Sequence, residues 1–509
     1  MTSDTPRLGR SVRPAVPVGG PHRSAGILHL GLGSFHRAHQ AVYTAAALAA
    51  DGVDHWGIVG VASRSRNVVD ALRAQDMLYA VAEISPEGTT LSIPGVHTDA
   101  FVGNDDRARV VRTIADPAIR IVTLTVTENG YSYSPSTGSL DVTDPVVMSD
   151  LRGGDPQSTI GQLARGIQQR AAASGAPLTV LSCDNLAANG SHTRRLVREF
   201  LQSLPGAEAS EALAYLDAHV SFPSSMVDRI VPATTPGLRE RVSEMLGARD
   251  DVPVPAEPFT MWAIEDDFAA GRPAWEAGGA VFSNEVGRYE DMKVRLLNGT
   301  HSLIAYLGAL HGAETIPDAV GMDDIESAAR VVLADEYHPS LQMPSGVDFA
   351  DYERDLFRRW DNSALGHRTT QVGTDGSVKL RQRIPEPALQ ALEGGRMPHM
   401  IALTVAGYLS CLAPLPGFEP GRFADEMTDA ARPRLTEISA SARSGAEVAE
   451  ASITGLQLFG AALAERDDFV ARVGELVDTI ARDGVRAAIG ESLAAAEAQS
   501  TPARREVSA

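Results

Sequence analysis

In the first half of the chain, short and mainly apolar runs alternate with stretches of helical periodicity. The four strongest apolar runs are residues 27–30, 56–61, 119–126 and 178–183. Helical spacing follows the first run as far as Asp51-Gly52, and it recurs over residues 160–169. Apolar runs of strand length between helical stretches are typical of parallel strands covered on both faces. The pattern therefore predicts an α/β fold, with shorter and more irregular strands between residues 79 and 96.

The pattern changes near residues 282–286, where strand signals nearly vanish and apolar residues recur at helical spacing. Six stretches predict helices: residues 304–310, 325–333, 388–392, 400–412, 448–463 and 469–489. We therefore predict an α/β domain over residues 25–284 and an α-helical domain over residues 285–498. The Pro-, Gly- and Arg-rich residues 1–24 predict a loose N-terminal arm, and the polar residues 499–509 predict a frayed tail.

A pair of glycines directly follows the first predicted strand. Gly31 permits a tight turn, and Gly33 allows backbone amides to approach a pyrophosphate where a helix begins. The third glycine of the usual dinucleotide fingerprint is absent, and His36 stands there instead. A structural turn explains the pair about as well on its own, but its position after the first strand of an α/β half favours dinucleotide binding. The chain has no Gly-Lys-Ser/Thr sequence of a phosphate-binding P-loop.

The end of the second predicted strand bears on the choice between NAD and NADP. An acidic residue there would bind the adenosine ribose, but this chain has Arg64, Arg66 and Asn67 in that region. An arginine there can accept a 2′-phosphate, so NADP stays open beside NAD as the cofactor. Solvated loop charges explain the two arginines about as well.

The segment 289–301 places charged and amide side chains in an otherwise apolar helical run. Relative to Lys293, and at about 100° per residue, Glu290 lies at about 60° and His301 at about 80°. Asn298 lies at about 140°, so one side of a helix would carry all four side chains. A buried lysine is costly unless it is paired or neutral, and a neutral lysine is a general base. A solvated helix face is the ordinary alternative, but the apolar stretch that follows favours a functional site.

Composition narrows the class of protein. Hydrophobic residues make up 44% of the 509, which is typical of a globular protein, and the net charge of −20 argues against nucleic acid or an anionic membrane as partner. We find no apolar run of about 18 residues that predicts a membrane span, and no apolar N-terminal segment that predicts a signal peptide. Two distant cysteines, Cys183 and Cys411, indicate a reducing cytoplasm and disfavour a zinc site, so we predict no metal.

Seven motifs follow one another along the chain: residues 31–40, 125–131, 182–186, 222–230, 262–266, 271–275 and 289–301. Together they resemble the long-chain mannitol dehydrogenase family, from about residue 26 to about residue 490. The resemblance implies a Rossmann-type N-terminal domain, a helical C-terminal domain and a cleft between them. It also implies metal-free, NAD-dependent oxidation of a secondary alcohol on a sugar-derived chain. The residues expected to contact the cofactor are Gly31, Gly33, Ser34, Phe35, Arg37, Arg64 and Asn67.

The resemblance also implies roles for individual side chains. Lys293 is the expected base for the hydroxyl proton, which requires its amine to lose its own proton near neutral pH. Asn189 and Asn298 are the expected pair of amides that hold the reacting oxygen as it gains negative charge. His301 is expected to orient the substrate hydroxyls. The residues expected to pass the proton to solvent are Glu290 and Glu128. Without the resemblance, Asn189 reads as a turn residue and Glu128 equally as a strand-end cap.

Residues 367–379 bear on the choice of substrate. This stretch resembles the branch of the family that reduces fructuronate to mannonate, whereas the mannitol branch tends to have an arginine where Gln371 stands. A uronate carboxylate needs a cationic partner. The cationic candidates are His367, Arg368 and Lys379. The alternative for Arg368 is an ion pair with an acid such as Asp361. The residues expected to line the same cleft are Asp228 and Arg229.

The leading hypothesis is an NAD-dependent reductase that interconverts a fructuronate-type keto-sugar acid and a mannonate-type aldonate. The alternatives are a mannitol 2-dehydrogenase and a dehydrogenase of a phosphorylated polyol, which would call for more basic residues near the cleft. A non-catalytic nucleotide sensor on the same fold is a different class, but a sensor does not need a base such as Lys293. We expect a small sugar acid or polyol as ligand, and a monomer or small homo-oligomer.

Overall fold

A computed structural model describes residues 5–18, 24–52, 55–134 and 137–506, with residues 208 and 500–506 described by their backbone alone. The chain divides into two compact units, Met1–Gly287 and Arg288–Ala509. The change of unit falls three residues after the end of the predicted α/β domain at residue 284.

Strands occur in the first unit only, among the described residues, and the parallel ones form its central sheet. The strands are β1 Ala25–Leu30, β2 Gly57–Ala62, β3 Val81–Ser85, β4 Gly88–Ser92, β5 His97–Val102, β6 Ile121–Leu124, β7 Leu178–Ser182, β8 Val220–Ser221, β9 Ser225–Asp228, β10 Val254–Ala256, β11 Met261–Ile264 and β12 Val281–Phe282. The central sheet has the order β5-β2-β1-β6-β7-β8, and all its pairs are parallel. Leu30, at the end of β1, pairs with Val61 on one side and Leu124 on the other. The predicted α/β class is confirmed.

Nine α-helices among the described residues of the first unit link and cover these strands. They are α1 Ser34–Ala38, α2 Gln40–Asp51, α3 Arg66–Ala74, α4 Arg107–Ala115, α5 Pro145–Leu151, α6 Thr159–Ala173, α7 Asn189–Gln202, α8 Ala207–His219 and α9 Pro236–Leu246. The start of α6 is capped by Ser158, whose hydroxyl accepts from the Gly161 amide at 3.0 Å. Helices α4 and α6 pack closely, because a Cβ at Gly166 would lie 2.5 Å from Ile114. This packing forms one apolar layer against the sheet.

Two smaller sheets and the N-terminal segment complete the first unit. The small sheets have the orders β10-β3-β4 and β12-β11-β9. Residues 5–18 are not a loose arm: Leu8 is fully buried, its amide donates to the Arg249 carbonyl at 2.8 Å, and the Arg10 amide donates to Asp76 at 2.9 Å. The prediction of a loose arm was wrong for these residues, because one buried leucine and a few backbone bonds order a segment of poor composition. The rest of the predicted arm, residues 1–4 and 19–23, lies outside the described residues.

The regular secondary structure of the second unit is helical in its described residues. Its helices are α10 Val286–Met292, which begins at the end of the first unit, α11 Thr300–His311, α12 Ile316–Val320, α13 Asp323–Val331, α14 Phe349–Trp360, α15 Thr369–Gly373, α16 Gly376–Arg383, α17 Pro385–Glu393, α18 His399–Leu412, α19 Arg422–Asp425, α20 Arg432–Ser441, α21 Gly445–Ala449, α22 Ala461–Ala464, α23 Asp467–Asp483 and α24 Val485–Glu506. Nearly every residue of α11 and α18 is buried, so these two helices form the core. No helix of the described residues is long and apolar enough to cross a membrane.

Two predicted elements of the second unit were wrong in extent. The predicted helix over residues 448–463 is divided into α21, a π-helical segment Glu450–Gly455 and α22. The predicted frayed tail is helical as far as Glu506, and the Gln499 side chain exchanges two hydrogen bonds with the Met397 backbone, at 2.9 and 3.1 Å. Alanine-rich polar sequence continues a helix readily once its start is packed, so the missing apolar face did not end α24.

Candidate active site

The segment that joins α10 to α11 is π-helical over Lys293–Gly299. In a π-helix the backbone bonds join residues i and i+5, so residues five apart become neighbours as residues four apart are in an α-helix. Lys293 and Asn298 are five apart. The predicted offset of about 140° between them assumed α-helical geometry and was wrong. The π-turn brings the side chains of Lys293 and Asn298 closer to one face than an offset of about 140° would. Glu290 lies three residues before Lys293, and His301 lies three residues after Asn298. These two residues extend the same stripe of side chains along the helix.

The burial of this stripe increases toward α11. Glu290, Lys293 and Asn298 are half-buried, whereas His301 is 7% exposed. Its Nε2 has no hydrogen-bond partner among the described residues, and its ring lies 5.0 Å from the His367 ring in an edge contact. Burial, and then the nearby cations, hold the pKa of His301 well below its usual value. The imidazole is therefore neutral near pH 7 and can donate or accept a hydrogen bond.

Four basic side chains surround His301 and form what we call the cationic group. They are Arg359, Lys379, Arg383 and His367, and burial lowers the pKa of His367 to about 4, so that its imidazole is neutral near pH 7. Lys379 and Arg383 lie one turn apart on α16, whose first residue, Gly376, allows close packing: a Cβ there would lie 2.3 Å from the Tyr306 hydroxyl. The Lys379 ammonium donates to the Val372 carbonyl at 3.2 Å, and burial followed by repulsion from Arg383 lowers its pKa to about 8.

Arg383 is a half-buried member of this group that contacts the π-turn. Burial lowers its pKa to about 10. Its Nη1 donates to the Asn298 carbonyl at 3.1 Å and to the Ser302 hydroxyl at 2.8 Å. We did not predict Arg359 or Arg383 from the sequence. The spacing of Arg383 four residues after Lys379 on a helix was the signal available for it.

Arg368 and Gln371 lie outside the cationic group. Arg368 is exposed and forms ion pairs with Glu314 at 3.4 Å and with Glu426 at 3.2 Å. The alternative interpretation, that Arg368 pairs with an acidic residue, therefore fits the structure, although the acids are not Asp361. Gln371 is exposed on α15. Of the cationic candidates predicted for a carboxylate, the structure groups His367 with Lys379 and pairs Arg368 elsewhere.

Lysine is rare in this chain, and its placement is informative. The sequence contains two lysines, Lys293 and Lys379, and every other cationic side chain of the Lys/Arg type is an arginine. Arginine does not lose its proton in proteins, whereas a lysine can be made neutral by burial. Both lysine side chains therefore occur in the second unit at candidate site positions. Lys293 lies in the π-turn, and Lys379 lies beside His301.

In the first unit, a pocket of about 590 Å³ lies at the carboxyl ends of β1, β2 and β6. It is lined by the residues Leu30–Gly33, Val61–Ser65, Gly103, Asn104, Thr125–Thr127, Asn129, Gly130, Gln157, Thr159 and Gln162. This edge of an open α/β sheet is where dinucleotides bind. Gly31 has φ +106°, and a Cβ there would lie 2.0 Å from the Thr125 carbonyl. A Cβ at Gly33 would meet only its own loop, at 3.6 Å, so the backbone is open to a ligand there.

The structure divides the residues predicted to contact the cofactor. Gly31, Gly33 and Arg64 line the pocket, whereas Ser34 and the exposed Asn67 are not among its lining residues. The structure places two other predicted side chains elsewhere. Arg37 is 4% exposed and donates to the Val252 carbonyl at 2.6 Å and to the Gly33 carbonyl at 3.3 Å. Phe35 is half-buried and packs against an apolar cluster of the first unit, and neither side chain lines the pocket.

Three buried histidines lie beneath the glycine loop and were not predicted as a group. The Nε2 of His29 donates to the Gly31 carbonyl and lies 3.0 Å from the Thr125 hydroxyl, the same distance as from the carbonyl, and its ring stacks on His36 at 3.4 Å. The Nε2 atoms of His36 and His97 lie 3.1 Å apart. Burial lowers the pKa of His29 and of His97 to about 3, and holds that of His36 well below its usual value. The loop is therefore supported by imidazoles that are neutral near pH 7.

The segment after β6 is organised by Asp184. Its carboxylate accepts from the Val126 and Thr127 amides at 3.0 and 2.9 Å and from the Tyr131 hydroxyl at 2.8 Å. Glu128 follows directly and is half-buried, and burial together with Asp184 raises its pKa. A carboxyl group with a raised pKa can exchange protons closer to neutral pH.

Asn189 and the pair Asp228–Arg229 have structural partners in the first unit. The Asn189 amide donates to the Asp184 and Ser225 carbonyls at 3.1 and 2.7 Å, and its oxygen accepts from the Ser225 amide at 3.0 Å. Arg229 forms an ion pair with Glu83 at 2.5 Å and donates to backbone carbonyls, so it ties elements of the first unit together. Asp228 is 5% exposed at the end of β9. The roles implied by resemblance for these residues stay predictions.

Comparison with known proteins gives the family. The model of the mannitol dehydrogenase Rossmann domain matches residues 25–277, and that of the mannitol dehydrogenase C-terminal domain matches residues 285–481. The chain belongs to the mannitol dehydrogenase family. Its predicted family, its Rossmann domain and its class as an oxidoreductase are confirmed.

Relatives in this family carry more than one substrate name. The D-mannonate oxidoreductase of Escherichia coli is 37% identical over 465 residues, which is 90% of this chain and 94% of that protein. The mannitol 2-dehydrogenase of Cereibacter sphaeroides is 34% identical over 474 residues, 92% of this chain and 96% of its own length. The solved Pseudomonas fluorescens mannitol 2-dehydrogenase, a ternary complex with NAD and D-mannitol, is 32% identical, with a TM-score of 0.82 over 96% of this chain and 99% of that one. Identity alone does not separate these substrates.

Proposed function

We propose that this member of the mannitol dehydrogenase family interconverts a keto-sugar acid and an aldonate of the fructuronate and mannonate type, with NAD as cofactor. The observation that carries the proposal is the cationic group around His301. An aldonate differs from a polyol by one carboxylate, which needs charge-assisted hydrogen bonds. Lys379, with a pKa of about 8, is the charged member of the group that a substrate carboxylate would bind, and Arg359 adds positive charge. Burial lowers the pKa of His367 to about 4, so its neutral imidazole would donate an ordinary hydrogen bond. A neutral polyol gives no reason for the clustering of these basic side chains.

The residues of the π-turn would perform the proton chemistry. Lys293, in its neutral form, accepts the hydroxyl proton when the alcohol is oxidised and returns it to the oxygen on reduction. Asn298 donates from its amide to the same oxygen while that oxygen carries negative charge. His301, neutral and with Nε2 free of other described partners, hydrogen-bonds a neighbouring substrate hydroxyl. Glu290 relays the proton to solvent. NAD, when bound in the first unit, would supply or accept the hydride.

The pocket of the first unit suits the cofactor. Its position at the carboxyl ends of β1, β2 and β6, and the open backbone at Gly33, fit a dinucleotide pyrophosphate. Ser63, Arg64 and Ser65 stand where an acid would bind the adenosine ribose. Hydroxyl groups there can bind a ribose, and Arg64 leaves NADP as a second possible cofactor.

A substrate panel tests the proposal. Initial rates are measured with fructuronate, fructose and other ketoses, each with NADH and with NADPH. The proposal requires a higher kcat/KM for fructuronate than for fructose. A clear preference for fructose would move the assignment to mannitol 2-dehydrogenase, the second candidate, which the 32% identical mannitol-bound structure favours.

A charge variant makes the test sharper. Lys379→Met should lower kcat/KM for the keto acid about 10- to 100-fold, since a hydrogen bond to a charged group contributes about 1.5–3 kcal/mol. The effect on fructose should stay within about threefold. Arg381→Met is the matched control, because Arg381 lies two residues away on α16 and is exposed. Equal losses for both substrates would contradict a carboxylate role for Lys379.

A further inference from the structure

The π-turn lacks the ordinary α-helical bonding pattern, and two side chains from elsewhere in the second unit pack on its end. The Asn298 carbonyl accepts from Arg383 Nη1 at 3.1 Å and from the Ser302 hydroxyl at 3.0 Å. Arg383 also donates to the Ser302 hydroxyl at 2.8 Å, so the guanidinium, the hydroxyl and the Asn298 carbonyl are joined by three hydrogen bonds. The side chain of a residue on α16 thus fixes the backbone of a residue that the proposed mechanism uses.

The next residue of the turn is held by packing. A Cβ at Gly299 would lie 2.5 Å from Cζ of Tyr337 and 2.8 Å from its hydroxyl oxygen. Tyr337 is fully buried at the end of the π-helical segment Val332–Tyr337, and its hydroxyl has no hydrogen-bond partner among the described residues. A buried hydroxyl without a partner is costly, so the ring is placed by contact with Gly299 and its other neighbours rather than by a hydrogen bond.

We propose that Arg383 is a positioning residue of the enzyme: its guanidinium holds the π-turn so that the amide of Asn298 aligns with the amine of Lys293. Tyr337 supports the same turn by packing on Gly299. The inference rests on the proposed roles of Lys293 and Asn298. Arginine suits this half-buried position because it donates to two acceptors at once and keeps its charge when partly removed from water, which a lysine does less well.

The alignment itself depends on the π geometry. If the turn relaxed to an α-helix, residues five apart would again differ by about 140°, and the Asn298 amide would rotate away from Lys293. Misplacement of a donor by about 1 Å costs up to about 100-fold in rate, because the donor acts on charge that develops in the transition state. Arg383 should therefore affect kcat far more than substrate KM.

The proposal is tested with Arg383→Met, Arg383→Lys and the control Arg381→Met, whose parent side chain only approaches the Gln457 carbonyl, at 3.5 Å. Amide hydrogen exchange is followed in peptides that cover residues 293–302, and kcat and KM are measured with the best substrate of the panel. We expect faster exchange in Arg383→Met, a fall in kcat of about 10- to 100-fold with KM within about threefold, and an intermediate value for Arg383→Lys. Arg381→Met should match the unchanged enzyme.

A double-mutant cycle separates positioning from general stabilisation. If Arg383 acts through Asn298, then Arg383→Met should add less than about threefold to the loss in kcat already caused by Asn298→Ala. Losses that multiply, or unchanged exchange in residues 293–302, would overturn the proposal. If Arg383→Met does not fold, as judged by its melting temperature and NADH binding, Arg383→Lys and Gly299→Ala answer the same question. Hydrogen exchange needs no substrate, so failure of the proposed function would leave this result readable.

Discussion

Acidification should destabilise the first unit through the histidines beneath its glycine loop. His29 and His97 have a pKa of about 3 in the folded protein, against 6.5 as the usual value. Between these values the unfolded chain binds a proton at each histidine and the folded protein does not. The free energy of unfolding therefore falls as the pH falls below about 6.5.

The size of the effect follows from the two pKa values. From about pH 7.5 to about pH 5.5 an unfolded histidine changes from mostly neutral to mostly charged, whereas the folded one stays neutral, and the loss is about 1.4 kcal/mol for each. His29 and His97 together account for about 2.7 kcal/mol. His36, whose pKa is also lowered by burial, adds to the loss in the same direction.

Urea unfolding at the two pH values measures this loss. Fluorescence from Trp56, Trp262 and Trp275 reports the first unit when the tryptophan of the second unit is removed by Trp360→Phe. His97→Gln keeps a polar partner for His36 and should reduce the acid-induced loss by about 1.4 kcal/mol, whatever its effect on stability at neutral pH. The exposed His219 gives the control His219→Gln. An acid-induced loss in His97→Gln as large as that of the unchanged protein would refute the reasoning.

Three further variants have defined expectations. Lys293→Met should lower kcat about 10²- to 10⁴-fold while NADH still quenches fluorescence, and turnover near the normal rate would exclude Lys293 as the base. Asn189→Ala should lower the free energy of unfolding of the first unit by about 2–4 kcal/mol, because it leaves the Asp184 and Ser225 backbone groups without their partner. The midpoint of urea unfolding measures this loss. An unchanged midpoint would contradict the structural role of Asn189. Arg64→Gln should weaken NADPH binding about fivefold more than NADH binding, and an equal change in both dissociation constants would show that Arg64 does not meet a 2′-phosphate.

The sheet of the first unit was predictable because its central strands are buried on both faces. β1, β2, β6 and β7 are short, mainly apolar runs, which are typical of strands covered on both faces. β5 at the sheet edge was missed, since His97, Thr98 and Asp99 break its apolar run where one side is less covered. Amphipathic α14 was missed for a similar reason, because it has more charged residues than buried ones.

The candidate site was only partly predictable. The residue types at positions 290, 293, 298 and 301 pointed to chemistry, but no local pattern indicates a π-turn, which depends on contacts with Tyr337 and Arg383 from distant parts of the chain. The ion pairs of Arg368 and the buried place of Arg37 depend likewise on partners far away in sequence. The direction in which each of these side chains points could therefore not be predicted from the local sequence.

The scarcity of lysine makes the chemistry of this protein directly accessible to isotopic labelling. Reductive methylation with ¹³C-formaldehyde would mark Lys293, Lys379 and the α-amino group, and arginines do not react. The methyl resonances of each labelled amine move as it gains a proton, so a pH series would give the titration of both lysines. A carboxylate ligand that binds Lys379 would shift one resonance, and a change at the π-turn would shift the other. The protonation state of both amines can thus be followed without replacing either of them.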